Sequence, residues 1–300
     1  MIDLNGKKTA VALGNFDGLH KGHLAVINAA VMEKHNGLKP CILTFDAHPL
    51  MILTGTAPKR IMTKSLCEKT TASLGCETVR IPFEEVRNMS PEEFFNEILI
   101  KKMNAGFVSC GFNYHFGKKG AGTAETLENL CRNAGIGFFR ADEVEYEGDV
   151  ISSTRIRNAI ESGDIENANK MLGRYFSYNS EVVHGDGIGK KIIGFPTINQ
   201  SFPEYHVVPK NGVYASVTDI DGKVYPSMTN IGKRPTVSGE ELRSETCIIG
   251  FSGDLYGTFP EVKLIKLIRE EKKFPSLEAL SAQLKNDSET AEKIYNEVFR

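Results

Sequence analysis

The first half of the chain alternates short apolar runs with longer segments of helical periodicity. That alternation confines it to a parallel sheet with helices on its faces. Thr9–Leu13, Cys41–Phe45, Thr78–Ile81, Phe107–Cys110 and Gly137–Arg140 read as buried strands. Between them, His20 to Asn36, Thr63–Leu74, Ser90 to Met103 and Thr123–Asn133 read as helices, with Gly37 and Gly75 as C-terminal stops. Ser90-Pro91-Glu92-Glu93 is a helix start: a cap, a proline in the first turn and a carboxylate three residues after the serine. In such sheets ligands bind beyond the carboxyl ends of the strands, near the point where strand order reverses.

After Gly173 the texture changes. Glycines and prolines crowd together from Arg174 to Lys266 and helical periodicity fades. Ser180–His184, Val213–Ile220, Glu245–Phe251 and Glu261–Ile268 are rich in β-formers and separated by turn signals such as Asp221-Gly222. This predicts a small antiparallel β-barrel, followed by helices over Ser276–Gln283 and Ser288–Val298. The expected division is therefore a Rossmann-like α/β domain over 1–173 and a β domain over 174–300, in line with a length of 300 residues.

Composition narrows the function classes. Lys plus Arg is 36 against 38 for Asp plus Glu, a net charge of −2. That near-balance argues against a protein that coats nucleic acid or anionic membrane. No apolar run is long enough to span a bilayer, and the N-terminal segment carries no secretory core. Cys41, Cys67, Cys76, Cys110, Cys131 and Cys247 form no C-x-x-C pair and read as buried free thiols. Together these predict a cytoplasmic protein, with self-association left open.

The segment Gly14-Asn15-Phe16-Asp17-Gly18-Leu19-His20-Lys21-Gly22-His23 follows the first strand and opens the first helix. Helix N-termini present free N–H groups and partial positive charge, and glycines let the backbone approach a phosphate. His20 and His23 share a helix face and can donate to phosphate oxygens. This string resembles the signature of H-x-G-H nucleotidylyltransferases, in the form found in bacterial bifunctional riboflavin kinase/FAD synthetases. Ile151-Ser152-Ser153-Thr154-Arg155-Ile156-Arg157 resembles the second signature of that family. By their own chemistry, Ser153 or Thr154 can cap the following helix, and the Arg155 and Arg157 forks suit an anionic ligand. Two further segments resemble family stretches at strand ends. Thr44-Phe45-Asp46-Ala47-His48-Pro49 has Ala47 where proline is usual, and Gly111-Phe112-Asn113-Tyr114-His115-Phe116-Gly117 supplies Asn113 and Phe116. For Phe112 and Phe116, facing an aromatic ligand and packing in the core are both open.

In the second half, Gly185-Asp186-Gly187-Ile188-Gly189-Lys190-Lys191 is glycine-rich but not a Walker A loop, because no Ser or Thr follows the lysine and no helix follows the loop. Gly194-Phe195-Pro196-Thr197-Ile198-Asn199 resembles the riboflavin kinase G-x-P-T-A-N motif, with Ile198 in place of alanine. Thr197 and Asn199 point the same way along an extended stretch, and neutral oxygens suit Mg²⁺ held with nucleotide phosphates. Asn211-Gly212-Val213-Tyr214, Asn230-Ile231-Gly232-Lys233-Arg234-Pro235-Thr236 and the stretch from Glu245 to Gly257 resemble the same module, with Cys247 and Gly250 in place of the usual His and Asp.

The resemblance implies a bifunctional enzyme. An N-terminal FMN adenylyltransferase would use Gly14, Asn15, Phe16, Asp17, Gly18, Gly22, Ser153, Thr154 and Arg155 for ATP, and His20, His23 and Arg157 for catalysis. His48, Asn113 and Phe116 would meet the flavin. A C-terminal riboflavin kinase would use Gly185, Gly187 and Gly189 for the nucleotide, Thr197 and Asn199 for Mg²⁺, and Glu245 as base. Riboflavin, FMN and ATP are then the expected small-molecule partners.

Overall fold

The computed structural model describes residues 6–184, 197–236 and 239–299, the side chains of 234–236 and 239–241 excepted. The glycines expected to cap a nucleotide, Gly185, Gly187 and Gly189, lie outside the described residues. The chain packs as two compact units, Met1–Pro58 with Lys64–Ser153, and Lys59–Thr63 with Thr154–Arg300.

The first unit is built on a five-stranded parallel sheet. Its strands are β1 (Thr9–Leu13), β2 (Lys39–Phe45), β3 (Glu77–Ile81), β4 (Ala105–Gly111) and β5 (Gly137–Ala141), in the order β3-β2-β1-β4-β5. The order reverses between β1 and β4, so the ligand crevice of such a sheet opens where those two strands end. Every residue of β1 is buried, as a central strand covered on both faces requires. Helix α1 (Lys21–Met32) packs on this sheet, and Ser109 of β4 donates to the Val26 carbonyl at 2.8 Å. A 3₁₀ turn over Glu33–Asn36 completes the expected helix and stops at Gly37, whose φ of 79° is the left-handed exit.

Helices α2 (Pro49–Thr54), α3 (Lys64–Ser73) and α5 (Ala124–Ala134) are regular. The helix expected from Ser90 to Met103 departs from its reading. Its start is a true capping box, with Ser90 Oγ accepting from Glu93 N–H at 3.1 Å and the Glu93 carboxylate accepting from Ser90 N–H at 2.7 Å. Only Pro91–Glu93 is α-helical; Phe94–Lys102 winds as a π-helix, the two forming α4. The wider winding places Phe94, Phe95, Ile98 and Leu99 together in the core, where packing overrides local preference.

The second unit opens with α6 (Ser153–Ser162) and α7 (Ile165–Leu172). Asn169 of α7 ties them to the sheet: its amide donates to the Leu264 carbonyl at 2.9 Å and its oxygen accepts from Phe176 N–H at 2.6 Å. The seven strands are β6 (Phe176–Asn179), β7 (Val182–Val183), β8 (Thr197–Ser201), β9 (Gly212–Ile220), β10 (Lys223–Thr236), β11 (Gly239–Ile248) and β12 (Glu261–Glu270), all antiparallel, in the order β6-β12-β9-β10-β11-β8-β7. Strand β10 had no clear signal, because Pro226 and Gly232 interrupt its pattern.

One face of this sheet carries Val213, Ala215, Val217, Met228 and Cys247 against helix α8 (Leu277–Phe299). The other face is a buried ladder of hydroxyls: Ser216 to Thr229 at 2.8 Å, Thr229 to Thr246 at 2.9 Å and Thr218 to Ser227 at 2.8 Å. The two expected terminal helices are one. The gap expected between Gln283 and Ser288 is helical too: within it Asp287 is fully buried, holding Arg269 through Nε at 2.9 Å and Nη2 at 2.8 Å and Gln283 at 2.6 Å. Five of the free cysteines are buried, and burial pushes the thiols of Cys41, Cys76, Cys110, Cys131 and Cys247 up to about 12.

Candidate active sites

In the first unit the loop between β1 and α1 is tightly shaped. Phe16 and Leu19 take φ of 50° and 43°, a left-handed backbone that non-glycine residues rarely adopt. Both side chains are buried, and that burial holds the strained turn in place. A Cβ on Gly14 would come within 3.1 Å of the Phe16 ring, and one on Gly22 within 3.3 Å of the His20 ring. A side chain at either glycine would crowd a ring, whereas the left-handed turn itself falls at Phe16, Gly18 and Leu19.

His20 is the N-cap of α1, and its Nδ1 accepts the backbone N–H of His23 at 3.3 Å. The two imidazoles stack with centroids 3.6 Å apart and planes 18° apart, and Phe16 meets His23 edge-on at 5.4 Å. His20 is only 6% exposed. Two ring systems thus stand at the positive end of a twelve-residue helix, at the carboxyl end of the central strand. Thr44 of β2 reaches the Asn15 carbonyl at 3.4 Å, and Ser153 donates to the Asp17 carbonyl at 2.9 Å. Ser153 thus braces the loop from the second motif.

Asn113 and Phe112 are exposed just beyond the end of β4, whereas Phe116 is 6% exposed and packs on Phe94 and Tyr114 within the core. His48 caps α2, accepting Leu50 N–H at 3.2 Å. The remaining second-motif residues, Thr154, Arg155 and Arg157, belong to the second unit. There the Arg157 guanidinium donates from Nε to the Lys59 carbonyl at 2.7 Å and from Nη1 to Thr154 Oγ1 at 3.4 Å.

In the second unit, register brings the candidate kinase residues into one patch. Thr197 lies opposite Cys247 and Asn199 opposite Glu245 on β8 and β11. On the other side of β11, Asn230 of β10 lies opposite Glu245, and Met228 opposite Cys247. Directly opposed residues have Cβ atoms about 5 Å apart. Thr197, Asn199, Glu245 and Asn230 therefore share one face, opposite the hydroxyl ladder. The oxygens offered by Thr197 and Asn199 are hard and neutral, a donor set that fits Mg²⁺ carried in with nucleotide phosphates. Among the described residues, no cluster of three or more His, Cys, Asp or Glu could hold a metal by itself.

Cys247 is 2% exposed and lies on this same face, in the apolar cluster packed against α8, as a small hydrophobe. Gly250 takes a φ of 75°, which a side chain there would strain. His184 stacks on Tyr256 at 3.9 Å, a pairing that no local spacing signals.

A family described as FAD synthetase matches residues 3–155, and one described as riboflavin kinase matches residues 172–295. The bifunctional riboflavin kinase/FMN adenylyltransferase of Bacillus subtilis (strain 168) is 33% identical, covering 95% of this chain and 92% of the relative. That of Pseudomonas fluorescens is 34% identical, covering 92% and 89%. A solved protein from Streptococcus pneumoniae, described as a macrolide-efflux protein, superposes with a TM-score of 0.84 at 33% identity over 96% of this chain and 94% of that one. Among the described residues, no helix is long and apolar enough to cross a membrane. The chain belongs to the family of bifunctional riboflavin kinases/FMN adenylyltransferases.

Proposed function

We propose that the residues assembled above carry the two reactions of this bifunctional enzyme, each in its own half of the chain. The C-terminal half phosphorylates riboflavin to FMN with ATP, and the N-terminal half adenylylates FMN to FAD with release of pyrophosphate. The functional halves divide at 173/174, and the enzyme works in the cytoplasm.

In the kinase, Glu245 accepts the proton of the ribityl 5′-hydroxyl as its oxygen attacks the γ-phosphorus and ADP leaves. Thr197 and Asn199 hold Mg²⁺ with the nucleotide, and the cation supplies neutralisation of phosphate charge. Glu245 faces Asn199 across one strand pair, so the base and the nucleotide-holding oxygens lie within a few ångströms of one another. That register is the single observation that carries the kinase assignment.

In the adenylyltransferase no covalent intermediate is needed. An FMN phosphate oxygen attacks the α-phosphorus of ATP and pyrophosphate departs. His20, His23 and the first N–H groups of α1 stabilise the charge that develops there. Asn15, Asp17 and Gly18 shape the nucleotide loop, and Ser153 braces it. Asn113 and His48 meet the flavin, with Phe116 as a buried support beneath Tyr114.

The test is a time course with riboflavin, ATP and Mg²⁺, resolving riboflavin, FMN and FAD by chromatography. His23→Ala is expected to abolish FAD formation and spare FMN formation. Glu245→Ala is expected to do the reverse when FMN is supplied directly. Equal loss of both products in either variant would defeat the two-site assignment.

A further inference from the structure

Asn230 is the residue that the kinase face contains and the mechanism has not used. Strand alternation fixes its orientation. Thr229 bonds Thr246 at 2.9 Å and Ser216 at 2.8 Å, so those buried hydroxyls mark one face of the sheet. Asn230 and Glu245, each one position along and directly opposite one another, occupy the other. Glu245 therefore sits between two asparagines: Asn199 from β8 and Asn230 from β10.

The same row continues through Val213 of β9 to Arg269 of β12. Val213 is 2% exposed and apolar. The Arg269 guanidinium is engaged by the buried Asp287 at 2.8 and 2.9 Å. On that side of the base, Asn230 is the polar residue directly opposite Glu245 in register. A carboxylate on a strand has freedom about its terminal torsions. A base must present one oxygen to the substrate hydroxyl, so its second oxygen is best held by a donor. An amide N–H is such a donor, and one opposite in register reaches it without backbone change.

We propose that Asn230 is a positioning residue of the riboflavin kinase site, its side-chain amide donating to the Glu245 carboxylate in the substrate complex and turning that base toward the ribityl hydroxyl. This inference rests on Glu245 being the base. Asn230 touches neither substrate nor phosphate; it acts through Glu245.

The experiment compares full-length Asn230→Ala, Asn230→Ser, Asn230→Asp and Glu245→Gln, reading FMN formation and FAD formation from supplied FMN separately. Asn230→Ala is expected to lower kinase kcat about tenfold or more, with KM for ATP and riboflavin held within about twofold. Asn230→Ser keeps a donor and recovers part of that loss. Asn230→Asp matches the native shape but removes the donors, so it is at least as slow as Asn230→Ala. FAD formation stays at the wild-type rate in all three, and KM values held near wild type show that the kinase half itself folds. Wild-type kcat in Asn230→Ala, near-normal kcat in Asn230→Asp, or a loss that serine does not reduce would each overturn the inference. Glu245→Gln separates the two levels. If it keeps kinase turnover, the base assignment itself fails. If it abolishes turnover while Asn230→Ala stays normal, only the role of Asn230 fails.

Discussion

Replacing His20 separates what its ring does for the fold from what it does for chemistry. Two contacts of the side chain bear on the fold: it caps α1 by accepting His23 N–H at 3.3 Å, and it stacks on the His23 ring at 3.6 Å. Losing an N-cap costs about 1 kcal/mol, and an aromatic pair contributes about 0.5–1.5 kcal/mol beyond its buried area. His20→Ala should therefore destabilise the first unit by about 1.5–2.5 kcal/mol. Asparagine is as good an N-cap as any residue, so His20→Asn should recover the capping share. Neither variant restores a ring donor to the pyrophosphate. Removing one such donor costs about 10²–10³ in kcat. Urea unfolding followed by tryptophan-free signals (far-ultraviolet dichroism and tyrosine fluorescence) measures the first quantity, and FAD formation from FMN measures the second. The expected result is a variant, His20→Asn, destabilised by the stacking share of about 0.5–1.5 kcal/mol, about a hundredfold or more slower in adenylyl transfer, with riboflavin phosphorylation unchanged. Adenylyl transfer within about threefold of wild type in His20→Asn would refute the reasoning and reduce His20 to a cap.

Gly22→Ala places a Cβ within 3.3 Å of the His20 ring, so it should slow adenylyl transfer severalfold with little change in kinase rate, as the same two assays read. Asp287→Ala leaves Arg269 without its buried partner and should destabilise the second unit by about 3–5 kcal/mol in urea unfolding, whereas the joint replacement of both residues by leucine and methionine should cost far less. A loss under about 1 kcal/mol for Asp287→Ala would contradict the anchoring of α8. The buried thiols make stability fall at high pH: their ordinary value is 9.0, the folded values are about 12, and between the two the unfolded chain holds fewer protons than the folded one. Unfolding free energy should be level below about pH 8 and decline between pH 9 and 12, by up to about 1.4 kcal/mol per pH unit for each thiol, and a flat profile across that window would count against their burial.

Much of this molecule was legible in the sequence because its signals are local. Gly37, Gly75 and Ser90 punctuate elements through their own backbone chemistry, and all three act as read. The apolar runs of the first half became the five parallel strands, most plainly at the central β1, which is buried on both faces and continuously apolar after Thr9, while β3 and β5 at the edges are partly exposed. The string from Gly14 to His23 announced a strand–turn–helix site because the turn, the cap and the ring donors are all within ten residues of one another. Local reading failed where distant packing intervened. The π-helical winding of Phe94–Lys102 answers to the core that its aromatic residues join. Strand β10 forms in spite of Pro226 because neighbours on both sides supply its hydrogen bonds.

The sequence by itself determined the fold classes, the family, and the residue types proposed for both sites, because motif spacing and hydrophobic period are carried by neighbouring residues. Tertiary structure alone decided which residues face one another. Asn199, Asn230 and Glu245 come from three separate strands, and only antiparallel register sets them in one row. A shift of one residue would turn Glu245 into the hydroxyl ladder and bring Thr246 to the face that carries Asn199 and Asn230. Likewise Asp287, a helix breaker by type, becomes the buried anchor of a continuous helix because Arg269 waits on a strand eighteen residues away.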